Sequence, residues 1–305
     1  MLTYIIRDID GVETLFKEPL KVSYVSGEDA PADQLSVVFG VKGTVPKLSS
    51  VEMKNGSERL FFGMIDSQCE EYSESGTFLT IQARSLTGVL LDNEALPQMY
   101  CSPSMPLLMK RHFEPLGFKE YRGTDKAFNG ELAISKGMSE WTVLRNFCRY
   151  FLNTEPYVDK YGVIDITGER KPDTMYLSGE RILSCRHYLK NSALVSDIHV
   201  RARSSGGYEM PFVNKLAKES GIIRKRYVDS MTGSGRTVQS VKRMIRKYAA
   251  EYEQLIVECA GCFICATGTL LSVEGQRNNY RVREVNYTFD SSGERTKLYS
   301  EVNDI

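Results

Sequence analysis

The chain has 305 residues, more than one hydrophobic core ordinarily organises, so two to four subdomains are expected. Its 39 Lys and Arg balance 39 Asp and Glu, and a formal net charge of zero supplies no global field for a polyanion or an anionic membrane. Neither nucleic acid nor membrane is an expected partner.

No apolar run approaches the length of a membrane span, and the start Met1-Leu2-Thr3-Tyr4-Ile5-Ile6-Arg7-Asp8 lacks the parts of a signal peptide. Synthesis and folding in a cytosol are expected. Seven cysteines, an odd set without secretory features, are expected to be reduced thiols. Zero net charge with seventeen Tyr and thirteen Phe favours self-association, which suits a subunit of an assembly.

Along the chain, Leu35, Val37, Phe39 and Val41 alternate with smaller residues, as do Leu79, Ile81 and Ala83 with Thr80 and Gln82. Between them runs the nearly apolar Leu60-Phe61-Phe62-Gly63-Met64-Ile65-Asp66, with turn signals at Asn55-Gly56 before it and Ser75-Gly76 after it. Residues 1–90 are therefore expected to form a first small β-barrel, closed or nearly so.

Residues 91–156 read as an α-rich middle domain. One helix is expected to start at Ser102-Pro103, with Met105, Leu108, Met109 and Leu116 on its apolar stripe and Pro115-Leu116-Gly117 as its end. A second starts at Ser139 as N-cap, carries Val143, Leu144, Phe147, Cys148 and Phe151 at helical spacing, and stops before Pro156.

Residues 157–206 return to strands leading into a second barrel, with a hairpin at Tyr157 to Ile166 and alternation at Ile198, Val200 and Ala202. Residues 207–258 form an insert. Its long amphipathic helix carries Val238, Val241, Ile245, Tyr248 and Tyr252 on one face and Arg236, Lys242, Arg243, Arg246 and Lys247 elsewhere. Residues 259–305 supply the closing strands of the second barrel. In them Tyr280 and Val282 share one phase and Val285, Tyr287 and Phe289 the other, which requires a bulge near Arg283-Glu284. The fold class is mostly β with an α-rich middle, an α+β multidomain chain.

The run Cys259, Cys262, Cys265 invites a metal or iron–sulfur reading, because closely spaced thiolates can share a soft metal. The fourth ligand is missing, Ala266-Thr267-Gly268 follows, and the content of residues 255 to 265 is that of a buried strand. His112, His187 and His199 form no zinc-binding spacing, and His199 reads as a surface or interface residue. Gly233-Ser234-Gly235-Arg236-Thr237 lacks the Lys-Ser/Thr pair of a phosphate loop and reads as a hinge with a helix cap. Asp8-Ile9-Asp10-Gly11 is a fragment of a calcium loop and reads as a hairpin turn. The basic helix face reads as solvated or protein-facing, since Glu251, Glu253 and Glu258 follow closely. No nucleophile elbow or assignable carboxylate pair is present. No catalytic, cofactor-binding or metal residue is assigned, and no cofactor is expected.

Leu60 to Asp66, followed by Leu79 to Ala95 with its Ala83-Arg84-Ser85 and Leu90-Leu91-Asp92-Asn93-Glu94-Ala95, resembles the end of the first barrel in baseplate hub proteins of contractile phage tails, notably the prophage hubs of Gram-positive bacteria. Tyr157 to Ile166 resembles that family's Y-V-D-x-x-G-x-I-x-I hairpin, and Tyr280 to Leu298 its closing hairpin. Asn214 to Ile222 resembles its N-P-x-A-K-x-x-G-I segment, with Lys215 where the family has proline.

The resemblance implies two barrels of the tail hub type with peripheral α/β subdomains, in a homotrimeric ring that matches the sixfold tail tube to the threefold spike. It implies as partners further copies of the chain, the central spike, the tail tube or tube initiator, and the baseplate wedge and tape-measure proteins. The implied location is the bacterial cytoplasm during assembly and then the baseplate of a phage tail or bacteriocin-like particle. Three rivals are a cell-wall-degrading tail enzyme, which needs a carboxylate or Cys/His pair in a cleft, the hub part of a secretion-system spike, and a receptor- or carbohydrate-binding module with an aromatic platform. The single Trp, Trp141, falls in a helix pattern and does not signal such a platform.

Overall fold

Alternation of apolar and polar residues makes the N-terminal segments strands with one buried face. In the computed structural model, which describes residues 2–28, 30–168, 173–201, 206–208, 210–229, 234–276 and 278–302, they are β1 (Leu2–Asp8), β2 (Glu13–Phe16), β3 (Lys21–Gly27), β4 (Ala30–Val41), β5 (Leu48–Asn55), β6 (Glu58–Ser73) and β7 (Gly76–Ser85). Then come α1 (Thr87–Asp92), β8 (Gln98–Tyr100), α2 (Met105–Leu108), β9 (Tyr121–Arg122), β10 (Leu132–Ile134), α3 (Glu140–Phe147), β11 (Tyr157–Val158) and β12 (Ile164–Asp165). The rest of the chain gives β13 (Thr174–Leu177), β14 (Ile182–Leu189), β15 (Asp197–Val200), β16 (Met210–Val213), α4 (Lys215–Glu219), β17 (Lys225–Val228), α5 (Ser234–Tyr252), β18 (Glu253–Ala260), β19 (Leu270–Val273), β20 (Tyr280–Asp290) and β21 (Gly293–Val302). Strands hold more than twice as many of the described residues as helices do, so the protein is mostly β.

The chain divides into two units. One is Met1–Pro172 with Ala260–Thr267 and Glu284–Thr296, and the other is Asp173–Cys259 with Gly268–Arg283 and Lys297–Ile305. In the first, neighbouring strands run β20-β3-β4-β7-β6-β5-β1-β2, every pair antiparallel. Leu35, Val37 and Phe39 of β4 and Leu79, Ile81 and Ala83 of β7 are all buried, as their alternation requires. They share a core with Tyr4, Phe61 and Tyr287, so this core joins residues from both ends of the chain. Ring pairs lock it, with Tyr4 edge-on to Phe39 at 5.4 Å and Tyr24 edge-on to Phe61 at 6.0 Å. At the β5–β6 turn Asn55 pairs with Glu58, and Gly56 takes φ +60°, a conformation glycine adopts at little cost.

A second core in this unit gathers Leu90, Phe113, Val143, Phe147 and Ile164, with Trp141 half-buried against it. Short helices and short strand pairs alternate around it. The first helix starts two residues later than its sequence suggests: Ser104 is extended and accepts the amide of Leu107 at 3.4 Å, and Pro106 lies within the first turn. A π-helical turn, Met109–Phe113, and a 3₁₀ turn, Glu114–Leu116, continue it as far as Gly117. Ser139 caps α3, accepting the Thr142 amide at 3.3 Å, and a π turn at Cys148–Leu152 ends at Asn153, with φ +58°, ahead of Pro156.

In the second unit the neighbours run β14-β18-β21-β20-β19-β13, with β13 parallel to β19. A three-stranded sheet, β16-β15-β17, carries β15 antiparallel to β16 and parallel to β17. Val241 of α5 closes a small core with Val195, Ile198 and Val200, and Met244, Ile245 and Tyr248 pack beside it. The expected alternation at Ala202 and Arg203 and the joints around Ser204-Ser205 and Met231 to Gly233 lie outside the described residues.

Two expectations need correction. Neither unit is a closed barrel: among the described residues β2 pairs only with β1 and β14 only with β18, so each strand path is open. Alternation reveals that a strand has one buried face, but not whether the outermost strands of its sheet meet. The apolar run around Cys259 to Cys265 is not one strand either, since β18 ends at Ala260 and Gly261 takes φ +106°. The expected phase change in β20 does occur across Arg283-Glu284, where the strand passes from the second unit to the first.

Candidate interaction surfaces

The residues that carry the resemblance in sequence make a structural junction in the first unit. Arg84 of β7 grips Asp66 of β6 with two hydrogen bonds, at 2.7 and 2.9 Å, and Asp92 of α1 with two more, at 3.0 and 2.6 Å. The guanidinium holds the Asp92 carboxyl below the usual carboxylate range, and the two carboxylates push the Arg84 pKa up. Gly63 lies so close to β7 that a Cβ there would meet the Arg84 carbonyl oxygen at 2.2 Å. Ser85 Oγ accepts the Asp33 amide at 3.0 Å, and Glu94 accepts the Gly137 amide at 2.7 Å. These side chains are spent on tying the first sheet to α1 and α3.

The other singled-out residues are also taken up by the fold. Asp8 accepts the amides of Asp10 and Val12, both at 2.9 Å, so the calcium-loop fragment is a turn closed by its own carboxylate. Cys259 is buried, and burial pushes its thiol up to about 11, while Cys262 packs against the first core. Among the described residues no three His, Cys, Asp or Glu side chains converge as a metal site. Gly235 and Thr237 belong to α5, which starts at Ser234, and Lys242 and Arg246 on it are exposed. His187 on the exposed β14 lies 2.9 Å from the half-buried Glu253 of β18. Lys215 occupies the first position of α4, where a proline is also well tolerated.

Sequence reading missed one buried polar group. His112, on the π turn, places Nδ1 2.8 Å from Glu140 Oε2 and Nε2 2.9 Å from the Tyr100 hydroxyl. The order Tyr–His–carboxylate is that of a proton relay, yet His112 is only 2% exposed. It pins β8, the π turn and the first turn of α3 together. A π turn is the visible signal of such a site, and sequence periodicity does not show it.

At the open end of the first sheet, Ile9, Val12 and Leu15 are all more than half exposed on and before β2. Beside them Ile6, Phe16, Val41, Val45 and Leu48 line a recess of about 330 Å³. At the open end of the second sheet, β14 exposes Leu183, Tyr188 and Leu189, and six of its eight residues are exposed. Long apolar edge strands are normally covered or charged, because their free amides and carbonyls recruit other strands. A third surface is aromatic: on the face of β15 and β17 away from α5, His199 stacks on Tyr227 at 5.1 Å, and Tyr208 meets Tyr227 edge-on at 5.2 Å. His199 is thus half-buried beneath an exposed tyrosine, and the Trp count gave no sign of this group.

No family model matches the sequence, and no curated protein is detectably similar to it. Solved structures do match. A 43 kDa tail protein of prophage MuSo2 from Shewanella oneidensis superposes with a TM-score of 0.81 at 13% identity, covering 98% of both chains. A tail protein from Neisseria meningitidis MC58 gives 0.79 at 16% identity, covering all of this chain and 97% of that one. A type VI secretion component of E. coli, itself similar to T4 phage tail proteins, gives 0.61 at 10% identity over 94% of this chain and 74% of that one. The protein has the fold shared by these prophage tail proteins and this type VI secretion component.

Proposed function

We propose that the protein is a structural subunit of the hub of a contractile-tail baseplate, or of a tail-like particle, and performs no catalysis. The observation that carries this reading is the match to a prophage tail protein over 98% of each chain at a TM-score of 0.81. The exposed strand edges at β2 and β14 support it, since open apolar edges suit a subunit whose neighbours cover them. In this reading three copies form a ring beneath the tail tube and above the spike, by the rotational closure that heterologous edges permit. The tube or its initiator, the spike, and the wedge and tape-measure proteins are the further partners. The bacterial cytoplasm is the place of assembly, and the tail particle the place of work. The weaker likeness to the secretion-system component, 0.61 against 0.81, ranks a secretion spike second.

Light scattering after size exclusion, on the protein alone and with the products of neighbouring genes, tests this. A mass of three chains, alone or with a spike-like partner, is expected. A monomer that gains no partner and cleaves cell-wall material would overturn the reading in favour of an enzyme.

A further inference from the structure

The zero net charge conceals a segregation. Between residues 197 and 252 there are twelve Lys and Arg against five Asp and Glu. Between residues 67 and 82 there are three acidic residues and no Lys or Arg. The acidic stretch is the outer half of the β6–β7 hairpin. The β5 pairing of β6 stops at Met64, and from Ser67 to Ser73 β6 pairs with β7 alone. Glu71, Tyr72 and Glu74 at the tip are exposed, Tyr72 by 69%, and its hydroxyl hydrogen-bonds to Glu70. No Lys or Arg among the described residues pairs with Glu70, Glu71 or Glu74.

The basic stretch is the β15–β17 sheet with α4 and α5. On its outer face the exposed Tyr227 and Tyr208 form a corner backed by His199, and Pro211 and Val213 extend the apolar area. The His199 Nε2 atom is buried there without a hydrogen-bond partner. Lys225 stands on the same face of β17, and neither it nor the adjacent Arg226 is ion-paired. An aromatic centre with a cationic rim is the anatomy of a protein-binding surface. The hairpin tip offers its complement, one exposed aromatic ring between two free carboxylates.

We propose that the aromatic face of the insert receives the acidic β6–β7 hairpin of a second copy of the chain. The inference rests on the self-assembling reading above and names its contact. The two surfaces differ, so the contact is head to tail and can propagate round a ring. Charge complementarity sets its register and weakens with salt.

Sedimentation of the full chain across concentration tests it with three variants. Glu71→Lys with Glu74→Lys, or Lys225→Glu with Arg226→Glu, is expected to weaken self-association by about tenfold or more. The four substitutions together are expected to restore most of it, because the charges are then exchanged. Raising NaCl from about 0.05 to about 0.5 M is expected to weaken the parent chain more than either reversed pair. Carbodiimide cross-linking of a mixture of ¹⁴N- and ¹⁵N-labelled chains, which does not depend on any variant folding, is expected to join Glu71 or Glu74 to Lys225 across labels. Assembly indifferent to both charge reversals, or cross-links confined to one label, overturns the hairpin contact while the hub reading stands. A chain monomeric under all conditions, alone and with spike-like partners, removes both.

Discussion

Tyr4 is fully buried in the first core, and its hydroxyl finds no partner there. Burial drives the phenol pKa well up, as expected of a group held neutral in an apolar site. An orphaned buried hydroxyl costs about 1–3 kcal/mol, so Tyr4→Phe is expected to stabilise the protein by about 1 kcal/mol. A urea titration that shows no gain would mean that an ordered water satisfies the hydroxyl. Gly63 is the opposite case. The 2.2 Å approach to the Arg84 carbonyl leaves no room for a methyl group, and Phe61 blocks the other side at 2.6 Å. Gly63→Ala is expected to cost about 3 kcal/mol by overpacking, read as a lower urea midpoint with an unchanged slope. His112 shows why a catalytic-looking trio need not be one, because its position at 2% exposure makes it a brace.

Among the elements, the edge strands separate folding from assembly. Leu15 on β2 and Leu183 on β14 are each 55% exposed, so neither contributes much to a core. Leu15→Lys and Leu183→Lys are expected to shift unfolding by less than about 0.5 kcal/mol, as surface substitutions do. Each is expected to raise the concentration needed for self-association, since an edge lysine opposes strand addition. Equal sedimentation of variant and parent would show that these edges are not contact surfaces. The helices are modest by comparison. α3 spans only eight residues and is held by its Ser139 cap and by Val143, Leu144 and Phe147 in the middle core. Isolated helices that short are not stable, so packing maintains it.

For the whole molecule, the chain passes between its two units more than once, and the first unit is completed by Glu284–Thr296. Strand β20 pairs with β3 from Glu284 to Phe289 and brings Tyr287 and Phe289 to the first core. A chain ending at residue 172 is therefore expected to expose β3 as an edge and lose both rings. Removing a large buried aromatic costs about 3–5 kcal/mol, comparable with the whole stability of a domain. Such a truncation is expected to bind a hydrophobic dye and aggregate, whereas a soluble monomer with the parent's urea midpoint would show that the N-terminal strands are self-sufficient.

Local rules were legible in the amino-acid order because they depend on neighbours a few residues apart. The alternation at Leu35, Val37 and Phe39, the Asn55-Gly56 turn, the Ser139 cap and the phase change across Arg283-Glu284 all follow from backbone geometry and side-chain polarity. The motifs around Arg84 and Asp92 announced the tail-protein fold without revealing that their charges form a clamp. Openness of the two sheets, the union of Tyr4 with Tyr287, and the meeting of Tyr208, Tyr227 and His199 could not be read there. Each joins residues distant in sequence, and burial of apolar surface is non-directional, so periodicity marks which side of a strand is covered and not by what. In the proposed reading, function resides in what the surfaces leave uncovered, and that is a property of the folded chain.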